Sequence, residues 1–195
     1  MVLWARPRGE GRIRTEFAAS PEEAVDQVAS LLAAHPPLNL HFSLCLLGEC
    51  PSTGRGRASD VAFVPGVWLE LDVQGPAHEG PDYCPGIEEA LALIDRFPLP
   101  ASCVVHSGGG LHAYWAFDRL KEVRTPEERA EVRALVQGFQ NRFRCPELNP
   151  LGYAVDHTDD LSRLLRVPGS LNLKYDPPAR IRLLRGSGPG KGGGL

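Results

Sequence analysis

Val67-Trp68-Leu69-Glu70-Leu71-Asp72-Val73 alternates apolar and acidic side chains with a period of two, the signature of a β-strand. Leu69, Leu71 and Val73 point one way, into a core, and Glu70 and Asp72 share the other face. Two carboxylates that converge repel each other, and a hard divalent cation such as Mg²⁺ or Mn²⁺ relieves that repulsion best. The same pattern also fits the solvated face of an edge strand, so the flanking segments have to decide between the two.

Downstream, Gly75 to Pro85 is a Pro/Gly-rich loop containing Glu79 and Asp82. Ile87, Ala90, Leu91, Leu93, Ile94 and Phe97 then give a helical period closed by Pro98. Cys103 to Val105 is a short strand, Ser107 to Gly110 a turn, and Leu111 to Phe117 a returning strand. Thr125-Pro126-Glu127-Glu128 opens a capped helix reaching about Phe143. Asp160 to Leu165 reads as a short helix, and Arg180 to Leu184 as a last strand. Upstream, Thr53 to Arg57 is a basic, glycine-containing loop, and Leu38 to Leu47 alternates as one strand. Ser20-Pro21-Glu22-Glu23 starts a helix that runs to His35 and stops at Pro36-Pro37. Helices alternate with strands, but a glycine turn joins two strands directly. The fold class is therefore α+β (mixed α/β) with an RRM-like sheet. Residues 1–185 form the folded domain, and residues 186–195, with six glycines, read as a linker or tail.

Composition narrows the function classes. The 195 residues are 43% hydrophobic and 23% charged with a net charge of −3, an ordinary globular balance and not that of a uniformly basic nucleic-acid coat. No apolar run approaches the roughly 20 residues that span a bilayer, and the first residues lack a signal-peptide core. A cytoplasmic protein with no membrane partner is expected. Five scattered cysteines suit neither a disulfide framework nor a zinc pattern, so no structural zinc is expected. Gly186 to Gly192 mimics a phosphate loop but is one residue short, has Gly192 where Ser or Thr belongs, and precedes no helix.

Two further segments bear chemistry. Ser107-Gly108-Gly109-Gly110-Leu111-His112 has more glycine than a hairpin needs. It fits a nest of backbone N–H groups around an anion, with Ser107 and His112 as added donors, and equally a loose hairpin with His112 packed in the sheet. Asp156 supplies a third acid, followed between 161 and 191 by seven Arg and Lys residues against Asp176 alone. A basic stripe beside an acidic cluster suits a site for metal and polyphosphate, and a solvated surface gives the same count.

In order, Trp68 to Val73, Ser107 to Trp115, and Val155-Asp156 with Ser162 to Lys174 resemble the motifs of the archaeo-eukaryotic primase (AEP) superfamily, in its primase-polymerase (PrimPol) branch from mobile elements. The resemblance implies an RRM-like palm with a smaller N-terminal αβ part. It implies a nucleotidyltransferase, a DNA primase and DNA-directed polymerase that joins (d)NTPs on a single-stranded DNA template and primer with two Mg²⁺ or Mn²⁺ ions. Glu70, Asp72 and Asp156 would be catalytic metal ligands, and Ser107, His112, Arg166 and Lys174 would hold the nucleotide phosphates. A C-terminal accessory or helicase domain would follow in the full architecture. Two positions depart from the family pattern: Glu70 stands where Asp is also common, and four residues separate Ser107 from His112 where many relatives have one. Template contacts are expected from Arg55, Arg57, Arg163, Arg180, Arg182 and Arg185, since phosphate contacts need cations but little sequence information. Two alternatives compete. A rolling-circle initiator or relaxase needs a paired-histidine metal site, which His106 and His112 are too far apart to make on one strand face. A non-catalytic RRM-like module for single strands needs exposed stacking aromatics.

Overall fold

The structure is a computed structural model describing residues 1–9, 11–34, 37–51 and 54–186. In chain order its elements are β1 (Val2–Pro7), β2 (Arg14–Phe17), α1 (Pro21–Ala34), β3 (Leu38–Ser43), β4 (Leu46–Leu47), β5 (Val61–Asp72), α2 (Ile87–Asp95), β6 (Cys103–His106), β7 (Gly110–Glu122), α3 (Pro126–Arg142), β8 (Leu164–Arg166), β9 (Leu171–Asn172), β10 (Ala179–Arg180) and β11 (Arg182–Gly186). None of the described helices is long and apolar enough to cross a membrane.

The larger sheet has the order β11-β6-β7-β5-β4, with β5, β6 and β11 all antiparallel to their neighbours. β7 returns from β6 through a tight glycine turn and inserts between β6 and β5, while α2 carries the chain from β5 across to β6. This is the split βαβ arrangement of an RRM-like sheet. One face is covered by α2 and α3. There Leu69, Leu71, Leu111, Ala113 and Trp115 are buried against Phe139 and Phe143, with Phe97 packed alongside. The Trp115 ring lies 4.8 Å from Phe139 edge-on, and its Nε1 donates to the Leu99 carbonyl at 2.9 Å. α3 begins as expected, with Thr125 and Glu128 forming a reciprocal capping box. At α1, Glu23 N donates to Ser20 Oγ and Glu23 Oε2 accepts from Ala19 N.

The second sheet, β2-β1-β3-β8, packs with α1 around Leu3, Ala5, Leu31, Leu38, Leu40 and Val167. It is not purely N-terminal. β8 arrives from the far end of the chain and pairs with β3 through His41 and Arg166, Phe42 and Leu165, and Ser43 and Leu164.

Several expected boundaries shift, each for a physical reason. The single strand expected over 38–47 divides: Leu44 N still bonds the Arg163 carbonyl in register with β8, the chain then bends at Leu44–Cys45, and Leu46–Leu47 join the larger sheet beside β5. The short helix expected over 160–165 is absent. Asp160 Oδ1 accepts from Ser162 N, a side-chain turn that competes with helix, and Leu164–Arg166 run as a strand. The last strand breaks at Ile181, whose N–H is given to Ser170 O, and Gly186 belongs to β11 opposite Cys103 rather than to a tail. β1 and β2 were not legible from periodicity. His35, Pro36, Thr53 and residues 187–195, on which the end of α1, the start of the basic loop and the tail were read, lie outside the described residues.

Gly110 sits opposite Asp72, and a Cβ there would meet Leu71 O at 2.1 Å and Asp72 Cα at 2.8 Å. Gly110→Ala is therefore expected to cost at least about 1–3 kcal/mol through overpacking of the β5–β7 ladder. Urea denaturation checks this against Gly138→Ala, where nothing lies within 4 Å of the added carbon.

Candidate active site

Glu70 and Asp72 end β5 on the face turned away from α2 and α3, opposite His112 and Gly110 of β7. Trp68 shares that face but is buried, and its indole Nε1 donates to the Thr158 carbonyl at 2.7 Å. This contact helps place the third acid. Residues 153–160 have no regular structure, and polar side chains hold them instead. Arg144 donates to the carbonyls of Val155 and Asp156 at 2.9 and 2.7 Å. Gln140 exchanges hydrogen bonds with Thr158 and also donates to the Trp68 carbonyl. β4 covers only the start of β5, which leaves the Trp68 carbonyl free for Gln140.

The result is that the Asp72 and Asp156 carboxyls act on each other directly, each altering the other's affinity for a proton. Burial, the Asp156 charge and the Glu70 charge push the Asp72 carboxyl up to about 7. Burial and Glu70 raise Asp156 as well. Glu70 behaves oppositely. Burial pushes it up, but His112 and Arg163 outweigh that and hold it at about 2. Its Oε2 lies 2.6 Å from Arg163 Nη2 and its Oε1 3.5 Å from His112 Nε2. His112 Nδ1 is in turn 3.5 Å from the Tyr114 hydroxyl. Among the described residues, no three His, Cys, Asp or Glu side chains gather closely enough to cage a metal ion.

A cavity of about 280 Å³ opens beside Glu70. Its walls include Trp4, His41, Arg55, His112, Arg163 and Arg166, so the second sheet and the β8 segment supply most of its positive charge. Burial first, then Arg166, lowers the His41 pKa to about 4, which keeps the ring neutral near pH 7. Arg166 also donates to Asn39 Oδ1.

The other expected residues fall in different places. Lys174 is exposed, with Nζ 3.2 Å from His78 Nε2, and that same nitrogen is 3.2 Å from Asp72 Oδ2. Ser107 is buried in the turn, where its N–H bonds Gly110 O and its carbonyl accepts from Asn172 Nδ2. Arg163 faces Glu70. Arg55 lines the cavity and Arg57 is exposed near it in sequence. Arg180 and Arg182 are exposed on β10 and β11, and Arg185 pairs with Asp95 at 2.5 Å. Sequence reasoning missed His78, Trp4, His41, Arg144 and Gln140. Only His78 carried a local hint, as a ligand-type residue six positions after Asp72 in the adjoining loop.

No protein-family model matches the chain, and no curated protein matches its sequence. Among solved structures, it superposes on the AEP domain of the cyanophage S-2L primase-polymerase (PrimPol) with a TM-score of 0.55. The match covers 95% of this chain and 82% of that one at 17% identity. The fold is that of an AEP primase-polymerase domain. An identity this low carries the fold and leaves the chemistry to the site itself. In this chain, the acidic pair and the cationic cavity lie where the larger sheet meets the second sheet.

The raised Asp72 pKa has a stability consequence. The folded state holds this proton up to about pH 7, whereas the unfolded chain releases it near 3.8, so metal-free stability falls between those limits as pH rises. His41 has the opposite sign, since its depressed pKa costs stability as pH falls from 6.5 toward 4. The comparison with Asp72→Asn isolates the pair. The variant is expected to melt higher than wild type at pH 8 without metal, with the gap closing toward pH 5 and Mg²⁺ raising the melting temperature of wild type only.

Proposed function

We propose that the chain is a DNA primase-polymerase, catalysing template-directed nucleotidyl transfer from (d)NTPs on single-stranded DNA for primer synthesis and extension. The observation that carries this reading is the Asp72–Asp156 pair beside a cavity walled by arginines. Two hard-oxygen donors held close against their own repulsion suit a divalent cation, which takes the place of the proton. When held there, Mg²⁺ or Mn²⁺ would supply Lewis acidity toward the primer hydroxyl and positive charge against the triphosphate. Asp72 and Asp156 would hold them.

The remaining work falls to this chain's own side chains. His112, Arg166 and Lys174 bind and orient the phosphates; His112 and Arg166 line the cavity, and Lys174 stands beside His78 next to Asp72. Ser107, buried with its backbone tied to Gly110 and Asn172, keeps the glycine turn in shape next to His112. Arg55, Arg57, Arg180 and Arg182 are accessible for the template backbone. Residues 1–185 act as one catalytic domain, because each sheet supplies part of the site.

The competing readings lack support from the geometry. In the β6–β7 register His106 is opposite Leu111 and His112 opposite Val105, so the two histidines project from opposite faces of the sheet and make no metal pair. Trp115 is buried under the helices and Tyr114 packs against Phe42, which removes them as a stacking platform.

Primer extension on a single-stranded template with Mg²⁺ or Mn²⁺ tests the proposal. Wild type is expected to extend, and Asp72→Ala and Asp156→Ala to fall to background while still folding by circular dichroism. Extension undiminished in either variant would sink the metal reading. A second expectation concerns the phosphates. Arg166→Ala and Lys174→Ala should each raise the nucleotide KM by about 10- to 150-fold, from roughly 1.5–3 kcal/mol per charge-assisted contact. Template affinity should change far less, and equal losses for both ligands would indicate a general basic surface.

A further inference from the structure

Glu70 shares a strand face with Asp72 yet takes no part in the pair that Asp72 makes with Asp156. Both of its oxygens are turned to nitrogen donors, Oε2 to Arg163 at 2.6 Å and Oε1 to His112 at 3.5 Å. These two partners line the cationic cavity together with Arg166. Arg163 Nε is buried without a hydrogen-bond partner, so among the described residues Glu70 is what holds this guanidinium. A metal ion at Glu70 would have to displace Arg163 or sit against its charge. The ligand-type side chain that does close on the Asp pair is His78, whose Nε2 lies 3.2 Å from Asp72 Oδ2, and not Glu70.

We propose that Glu70 is a positioning residue: it aims Arg163 and His112 into the cavity toward the nucleotide's phosphates, and metal binding is left to Asp72 and Asp156. The proposal rests on the primase-polymerase reading for the identity of the ligand. It makes Arg163 a phosphate-side residue rather than a template contact. It also assigns His112 an orientation, with Glu70 at Nε2 and the Tyr114 hydroxyl at Nδ1.

Electrostatics alone and positioning predict opposite signs for one substitution. Removing a negative charge beside a polyphosphate should tighten binding if only the field matters. If Glu70 acts by holding Arg163 and His112, its removal should weaken binding although the cavity becomes more positive.

Two measurements on the folded protein test this. The first is Mn²⁺ binding without nucleotide, by electron paramagnetic resonance, for wild type, Glu70→Gln, Asp72→Asn and Asp156→Asn. The two Asp variants are expected to lose at least about tenfold in affinity and Glu70→Gln to stay within about twofold of wild type. A loss in Glu70→Gln equal to that in Asp72→Asn makes Glu70 a metal ligand and overturns the proposal. Wild type that binds no Mn²⁺ instead defeats the metal reading of the Asp pair, and with it the division of labour proposed for Glu70. The second is dNTP affinity in Ca²⁺, for Glu70→Gln, Arg163→Gln and the double variant. Glu70→Gln is expected to weaken binding about five- to tenfold, and the double variant to be no weaker than Arg163→Gln. Tighter binding in Glu70→Gln, or losses that multiply in the double variant, overturns the positioning role.

Discussion

Holding Asp72 and Asp156 close enough to act on each other directly, half removed from water, is unfavourable for both carboxylates. Neither would adopt that position alone, so the surrounding structure has to impose it. On one side the constraint is a long antiparallel ladder. β5 and β7 run together from Phe63 to Asp72, and the glycine opposite Asp72 admits no side chain without displacing the Leu71 carbonyl. Behind the ladder, Trp115, Phe139, Phe143 and Phe97 form a close aromatic cluster that ties β7 to α3 and the end of α2, in one core with Leu69 and Leu71 of β5. The end of β5 cannot drift without opening that core.

The other carboxylate is imposed by different means. Asp156 lies on an irregular segment whose carbonyls would be unsatisfied if buried, and α3 with its C-terminal extension provides the missing donors. Arg144 takes two consecutive carbonyls, one of them Asp156's own, while Gln140 bridges Thr158 and the β5 backbone. Trp68 completes the link from the strand side. The two acids are thus fixed to a common helix and strand by buried hydrogen bonds, which are directional and hold geometry in a way that apolar packing does not.

How much of this was legible from sequence depends on the range of the interaction. Elements set by local rules were readable: α3 from Thr125 and Glu128, β5 from the alternation around Glu70 and Asp72, the β6–β7 turn from its glycines. The strand over 38–47 keeps its alternation on paper, yet the chain bends at Leu44–Cys45 and Leu46–Leu47 pair with β5 of the other sheet. β8 looked helical because Leu161, Leu164 and Leu165 have helical spacing, and its pairing with β3 is a long-range fact. The acidic residues were visible as a set because their type and order are in the sequence. That Glu70 would face two nitrogen donors while Asp72 faces Asp156 was not, because it depends on where β8 brings Arg163.

That return of the chain explains why the two sheets act as one unit. After Asp156 the backbone crosses to the second sheet as β8, carrying Arg163 and Arg166 past the end of the palm. Arg163 reaches back to Glu70 on the palm, and Arg166 is held by Asn39 on the second sheet. The positive charge of the cavity is therefore contributed by the segment that immediately follows the acidic site in sequence. Acidic and cationic groups are kept apart by the direction of the strands: β5 and the Asp156 segment present carboxylates, and β8 presents guanidiniums. Only Glu70 crosses that division. A carboxylate paired with Arg163 reduces the mutual repulsion of the arginines on the cavity wall, so the wall can be assembled without a bound anion. Preorganisation of this kind would favour a multiply charged ligand such as the triphosphate of the proposed function, because the cost of gathering the cations is met in folding rather than at binding.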